Sequence, residues 1–308
     1  MKFAIFGTGG VGGYFGGRLA QAGQDVTFIA RGAHLAAIQI SGLRVDSISG
    51  DFHIQSAKAT DSPQAVGAVD VVLLATKGFH LDSAIGQMAP LIGADTIILP
   101  LLNGMEHMDV LHECFGSHLI GGFCRLSVFI AAPGHIKHVG VPPYIAFGEL
   151  DNSKSWRIES LYEVFSSSKG VTAEVPADIT AAMWEKFIFI SGTSGIGALT
   201  RQPVGEYRVH PESRAMLIAA MEETAAVARA RGADIPPNFV EETMQRIDSL
   251  PPQMLASMQK DMMEGRPSEL DEQTGAVIRM GRAVGVPTPT HEKIHAALLP
   301  LEQKARNQ

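Results

Sequence analysis

The chain opens on a short apolar run, Lys2–Phe6, then a glycine-rich stretch, an Ala/Leu/Gly-rich segment over Tyr14–Ala22, Gly23, and a second apolar run, Val26–Ala30. Runs this short and this apolar predict strands, and the segment between them predicts a helix, so residues 2–30 read as a strand–helix–strand unit. Further on, Gly42–Val45 and Phe52–Ser56 read as short strands around Ser49-Gly50-Asp51, an excursion or hairpin. Val69–Ala75 is continuous and β-branched, the pattern of a parallel strand buried on both faces, and Thr96–Leu102 repeats it. Leu119–Ile130 and Ile136–Leu150 carry strand-like runs around the Pro133-Gly134 turn and are expected to extend the sheet with antiparallel strands. Trp156–Ser166 has helical spacing, and Val171–Val175 is a short extended segment.

Near Asp178 the pattern changes. Ala, Met and Glu dominate from there on, β-branched alternation fades, and 179–200, 211–232, 237–248, 252–264, 268–284 and 290–305 read as helices. The breaks are Gly232, the proline pairs at 236–237 and 251–252, Gly265-Arg266-Pro267, and Pro287 with Pro289. The expected fold class is therefore α/β, with an N-terminal Rossmann-type doubly wound sheet over residues 1–178 and an all-helical C-terminal domain over 179–308. A chain of 308 residues is long enough for two such cores.

Composition acts mainly by exclusion. Hydrophobic residues at 45% and charged residues at 19% are those of an ordinary globular protein. A net charge of −7 argues against nucleic acid or an acidic membrane surface as partner. Apolar runs such as Val69–Ala75 fall far short of the roughly 18 residues that span a bilayer, so no membrane segment is expected. With a strand beginning at residue 2 no signal peptide is expected, and the two cysteines, Cys114 and Cys124, have no metal-like spacing. The expected location is the cytoplasm, and a largely apolar helical domain is compatible with a homodimer.

The chemistry begins at the first turn. Gly7-Thr8-Gly9-Gly10-Val11-Gly12 fits G-x-G-x-x-G in the strand–turn–helix context that a dinucleotide fingerprint requires. Gly7 permits the tight turn, Gly9 lets a pyrophosphate approach the backbone, and Gly12 lets the helix sit close to the strand. The helix N-terminus then offers free N–H groups to the phosphates. At the end of the second strand an NAD site carries an acidic residue for the ribose 2′-OH. Here the sequence is Ile29-Ala30-Arg31, and a guanidinium pairs with a 2′-phosphate, which favours NADP(H).

Other candidates sit where strands end or helices begin. Lys77 follows the Val69–Ala75 strand, where ligands of open α/β sheets bind, and is either a cofactor contact or an exposed loop lysine. Asn103-Gly104 follows the next strand and is either a turn or an amide contact to nicotinamide or substrate. His107, His112 and His118, with Glu106 and Glu113, lack the spacing of a metal site and read as a polar helix face. Lys186 opens an apolar, glycine-rich helix; partly desolvated, its ammonium would have a lowered pKa and serve as a general acid, or it snorkels at a helix edge. Ser191–Gly197 follows no strand, so close helix packing explains its small residues better than a second phosphate loop. Ser268 with Asp271 resembles a capping box, which leaves Glu269 in the first helical turn.

The order of these motifs resembles the ketopantoate reductase family over nearly the whole chain. The shared pieces are GTGGVG at 7–12, Arg31, Thr76-Lys77, Asn103-Gly104-Met105, Pro133–His138, Asp178-Ile179 followed by Trp184 and Lys186, Val204-Gly205-Glu206, Ser257-Met258 with Asp261, and Gly265–Asp271. The resemblance implies a two-domain, NADPH-dependent 2-dehydropantoate 2-reductase of pantothenate biosynthesis, acting on a small 2-keto acid. It implies Lys186 as catalytic proton donor and Glu269 as the carboxylate near substrate and nicotinamide ribose. Lys77 and Asn103 match cofactor contacts, Asn103 also reaching substrate, and Ser257 matches a substrate contact. The family's pocket asparagines are replaced here by Ile190, Ser194 and Val204, leaving Ser194 as the short hydroxyl among them. A site that loses such donors loses discrimination for a substrate hydroxyl. Reduction of a more apolar 2-keto acid to a D-2-hydroxy acid is thus the alternative activity, and a non-catalytic NADP(H) sensor the third.

Overall fold

The computed structural model describes residues 1–307. The chain divides into two compact units, one of residues 1–102 and 107–179, the other of residues 103–106 and 180–308. The short piece Asn103–Glu106 thus belongs to the second unit, although the hydrophobic pattern places all of 1–178 together.

The first unit is built on a parallel sheet of β1 (Lys2–Phe6), β2 (Asp25–Ile29), β5 (Lys58–Thr60), β6 (Val69–Leu74) and β7 (Ile92–Pro100), in the order β5-β2-β1-β6-β7. Its central strands are buried on both faces. Phe3, Ile5, Val71, Leu73, Ile97 and Leu99 enter one aromatic core with Phe15, Phe147 and Phe165, while the alternate residues Ala4, Val72 and Ile98 are equally buried. Continuous apolar runs, rather than alternating ones, follow from that double burial. The helices of this unit are α1 (Gly10–Gln21), α2 (Gly32–Ser41), α3 (Leu81–Met88), α4 (Glu106–Phe115), whose first residue lies in the second unit, and α5 (Trp156–Ser166). Arg18 of α1 is almost fully buried, with Gly50 O at 2.6 Å, Ser49 O at 3.1 Å and the Phe52 ring beneath it.

The expectation that the later strands extend this sheet is corrected. β8 (Gly121–Ala132) and β9 (His135–Gly148) do pair antiparallel, but they form a second sheet with β3 (Leu43–Ser47), β4 (Phe52–Ile54) and β10 (Thr172–Glu174). The 14-residue β9 has β8 along one edge; β3 pairs with its first half and β10 with its second, both in parallel register. The bridge Ile98↔Leu119, the bond from Ile120 N to Ile98 O and a 2.9 Å contact of His118 Nδ1 with Thr96 O join the approach to β8 to the first sheet.

The second unit is helical: α6 (Ile179–Thr200, whose first residue lies in the first unit), α7 (Val204–Tyr207), α8 (Pro211–Ala230), α9 (Phe239–Ser249), α10 (Ser257–Met263), α11 (Ala276–Val284) and α12 (Pro289–Arg306). The glycines of α6 serve packing. A Cβ on Gly192 would meet Met221 of α8 at 2.7 Å, and one on Gly195 would meet Ile294 of α12 at 3.3 Å. A buried polar chain staples the same helices. Glu223 of α8 accepts from the N–H groups of Thr290 (2.7 Å) and His291 (3.0 Å), capping α12 from outside. Thr224 Oγ1 lies 3.0 Å from Ser191 Oγ of α6. Two helix starts depart from the hydrophobic pattern. α10 begins at Ser257 rather than 252: the carbonyls of Pro252 and Met254 accept from Gly205 N (2.9 Å) and Val204 N (3.0 Å) of α7, and the chain is still extended at Ala256. The 268–284 helix begins as a π-turn, Asp271–Gly275. Among the described residues no helix is long and apolar enough to cross a membrane.

Candidate active site

The glycine turn has the geometry its sequence demands. Gly7 takes φ +94°, in the left-handed region, and a Cβ there would press on Thr76 at 2.8 Å. A Cβ on Gly12 would collide with the Gly7 carbonyl oxygen, whereas nothing lies within 4 Å of the position a Gly9 Cβ would occupy. No side chain caps α1, so its first N–H groups remain available to a ligand. Thr8 is anchored beneath, its N–H and Oγ1 both donating to Ile29 O, at 3.1 and 3.0 Å. Thr76 Oγ1 is buried without a partner beside the turn, a polar atom that sequence reasoning missed because its significance depends on the fold. An open backbone face, free helix N–H groups and an orphan hydroxyl fit a nicotinamide dinucleotide.

Gly10 and Val11 form the first turn of α1. Arg31 is the N-cap residue of α2 and is exposed, with Nη2 donating to Gln87 Oε1 at 2.8 Å. Lys77 is exposed at the loop after β6. All of these lie in the first unit.

The second unit assembles a different kind of site. Lys186 stands on α6, half-buried, and its Nζ donates to Asn103 Oδ1 at 2.9 Å. Asn103 Nδ2 in turn donates to Glu269 Oε2 at 3.1 Å. The amide can point only one way: an ammonium only donates and a carboxylate only accepts, so the oxygen faces lysine and the nitrogen faces glutamate. Gly104, at φ +100°, turns the chain immediately after Asn103. Glu269 is only 3% exposed. A carboxylate buried to that degree needs donors, and Asn103 is one of them.

The turn bearing Glu269 is held from behind. Ser268 N donates to both oxygens of Glu302, at 3.1 and 3.0 Å, and Ser268 Oγ donates to Glu302 Oε2 at 2.5 Å. Arg306 closes the set, with Nε 2.6 Å from Glu302 Oε1 and Nη2 donating to Ser268 O at 3.1 Å. The capping box expected between Ser268 and Asp271 is therefore absent. The hydroxyl donates to α12 and accepts from Leu270 N, at 3.2 Å, and the first helical turn is π-wound. Three residues after Glu269 stands Glu272, whose Oε2 is buried without a partner. Burial above all, with repulsion from Glu269 and Asp271, pushes its carboxyl up to about 7.

Lys186, Ile190 and Ser194 follow one stripe of α6 at intervals of four, Ser194 nearly buried and Ile190 half-buried. Ser257 is exposed at the first position of α10, and Val204 is fully buried, its N–H donating to Met254 O at 3.0 Å. Hydrogen bonds thus bring Lys186, Asn103 and Glu269 together. Among the described residues no three His, Cys, Asp or Glu side chains gather as a metal site.

Known proteins share this arrangement of elements. Residues 3–152 match the family model described as Ketopantoate reductase PanE/ApbA, and residues 178–302 match that of the Ketopantoate reductase PanE/ApbA C terminal. Uncharacterized oxidoreductase YkpB of Bacillus subtilis is 32% identical, over 97% of this chain and 98% of its own. The crystal structure of 2-dehydropantoate 2-reductase from Geobacter metallireducens superposes with a TM-score of 0.90 at 31% identity, covering 97% of this chain and 99% of that one. A ternary structure of D-mandelate dehydrogenase with NADH and anilino(oxo)acetate shares the fold, with a TM-score of 0.89 at 23% identity and 99% of both chains covered. The class is that of oxidoreductases with a Rossmann-type sheet and a helical C-terminal domain. Within it, the chain belongs to the ketopantoate reductase family.

Proposed function

We propose that this protein reduces a 2-keto acid with NADPH, and that the substrate is 2-dehydropantoate, giving pantoate. The hydrogen-bonded set Lys186–Asn103–Glu269 carries the reading. When bound, the reduced nicotinamide supplies hydride to the ketone carbon. Lys186 gives a proton to the ketone oxygen, and its positive charge stabilises the negative charge developing there. Asn103 holds the ammonium in position through Oδ1 and fixes the amide against Glu269 through Nδ2. Glu269 and Ser257 orient the substrate, with Ser194 the hydroxyl offered by α6. The lysine leaves as the amine and regains its proton from solvent, so one hydride and one proton are added in each turnover.

The preference for NADPH rests on Arg31 and on the lack of a carboxylate at the end of β2. Arg31→Ala should weaken NADPH by about 10-fold or more and leave NADH nearly unchanged, as read by titration of each. Equal losses would remove the phosphate role.

A second reading has a specific observation behind it. Ile190 places a branched alkyl group one turn beyond Lys186, where an apolar 2-keto acid side chain would find better company than a hydroxyl. Rates of NADPH oxidation with ketopantoate, 2-ketoisovalerate and phenylpyruvate separate the two. A kcat/KM for ketopantoate well above the others supports the first, and the reverse order replaces it with a D-2-hydroxyacid dehydrogenase. NADPH binding without turnover of any 2-keto acid would leave a sensor and end both.

A further inference from the structure

Asn103 and Glu269 lie 166 positions apart in sequence. Their hydrogen bond needs the 103–106 segment and the Glu269 turn to be in register. One side chain touches both segments. Arg279 of α11 donates through Nε to Glu106 Oε1 at 2.9 Å and through Nη2 to Glu106 Oε2 at 2.7 Å, a forked pairing with the last residue of the segment that begins with Asn103. The same guanidinium donates through Nη1 to Asp271 Oδ1 at 3.0 Å and through Nη2 to the Asp271 carbonyl oxygen at 3.0 Å, two residues beyond Glu269. His295 Nε2 stands 3.6 Å from the same Asp271 oxygen.

The local sequence makes room for this bridge. A Cβ on Gly275 would run into Asp271 Oδ1 and lie 3.0 Å from Arg279 Nη1, so only glycine leaves the path between α11 and the π-turn open. Four acceptor oxygens arranged around one planar fork suit arginine, and a lysine could satisfy only part of them.

We propose that Arg279 is a positioning residue for the active site: it sets the register between the Asn103 segment and the Glu269 turn, so that one amide meets Lys186 and Glu269 at once. The proposal rests on the reductase reading above. Exposure decides where its effect should be visible. The Arg279 and Glu106 side chains are 42% and 36% exposed, and ion pairs that wet add little to folding stability. Small displacements of catalytic groups, by contrast, are costly in rate.

The test combines Arg279→Met, Arg279→Lys and Glu106→Gln, with melting temperature, steady-state kinetics and crystal structures. Arg279→Met should lower kcat about 10-fold, change the Kd for NADPH by less than about 2-fold and hardly move the melting temperature. Arg279→Lys should recover only part of the loss. The double variant Arg279→Met/Glu106→Gln should be no slower than Arg279→Met alone, because both remove the same bridge. In the Arg279→Met crystal structure the Asn103–Glu269 bond should be broken or lengthened. Wild-type kcat together with an intact Asn103–Glu269 bond in Arg279→Met would overturn the proposal, as would additive losses in the double variant. Should Arg279→Met fail to fold, Glu106→Gln carries the same predictions on its own. If the unaltered protein reduces no 2-keto acid, the reductase reading falls, and the Asn103–Glu269 distance still judges the role of Arg279.

Discussion

The two units present chemistry in opposite ways. In the first, the candidate cofactor face is backbone: a few consecutive residues, Gly7–Gly12, whose use depends on side chains being absent. In the second, the candidate catalytic groups are side chains drawn from α6, the 103–106 segment and the turn before α11, joined across 83 and 166 positions of sequence. A backbone site is fixed once its strand and helix form. A side-chain site is fixed only when several helices are packed, and each member needs its own support, such as the Glu302–Ser268 bonds behind Glu269. The first kind should fail by steric intrusion and the second by loss of a partner.

Substitutions can make that contrast quantitative. Lys186→Ala should lower kcat by about 10²–10⁴-fold while leaving the Kd for NADPH within about 2-fold; near-normal turnover would break the assignment of proton transfer to the helical unit. In the glycine turn, Gly9→Ala should leave the melting temperature unchanged, because open space surrounds the added methyl group, yet weaken NADPH by about 10-fold or more. Gly12→Ala should lower both, since its methyl group meets the Gly7 carbonyl. Equal melting temperatures for the two variants would show that the turn is not packed as described.

The smallest effect belongs to Glu272. Its folded pKa of about 7 lies above the ordinary 4.5, so the fold holds this proton more tightly than the unfolded chain does. The stability cost is therefore absent below pH 4.5, grows as pH rises, and is complete above pH 7. With partial solvent screening, Glu272→Gln should stabilise by about 1–2 kcal/mol at pH 8 and by nearly nothing at pH 4, read from denaturant midpoints.

Legibility in the sequence follows the same division. The glycine turn and its strands can be read directly, because the spacing of Gly7, Gly9 and Gly12 and the apolar runs beside them lie in one short strand–helix unit, although the atoms that a Cβ on Gly7 would meet belong to Ala75 and Thr76 after β6. The apolar runs of β6 and β7 also announced a sheet covered on both faces. Local pattern makes Lys186 and Asn103 candidates, each beside a bland alternative, and only the resemblance of the flanking motifs to a family gives Glu269 a role. Nothing local marks Glu302 as the partner of Ser268, since the nearer Asp271 makes an equally good capping pattern on paper. Nor does anything near Glu106 announce Arg279, 173 positions away. That β8 and β9 belong to a second sheet is hidden for a similar reason: hydrophobic runs show that a strand exists, and its neighbours are settled by which edges the rest of the fold leaves open.

The excursion of residues 103–106 has a consequence for recombination. A chimaera joined near 178, where the composition changes, would take its lysine and glutamate from one parent and its asparagine, with Glu106, from the other. The helical unit expressed from residue 180 onward would lack that amide altogether. Modular exchange between relatives is therefore constrained at four residues far from the apparent seam, and those residues would have to travel with the helices they serve.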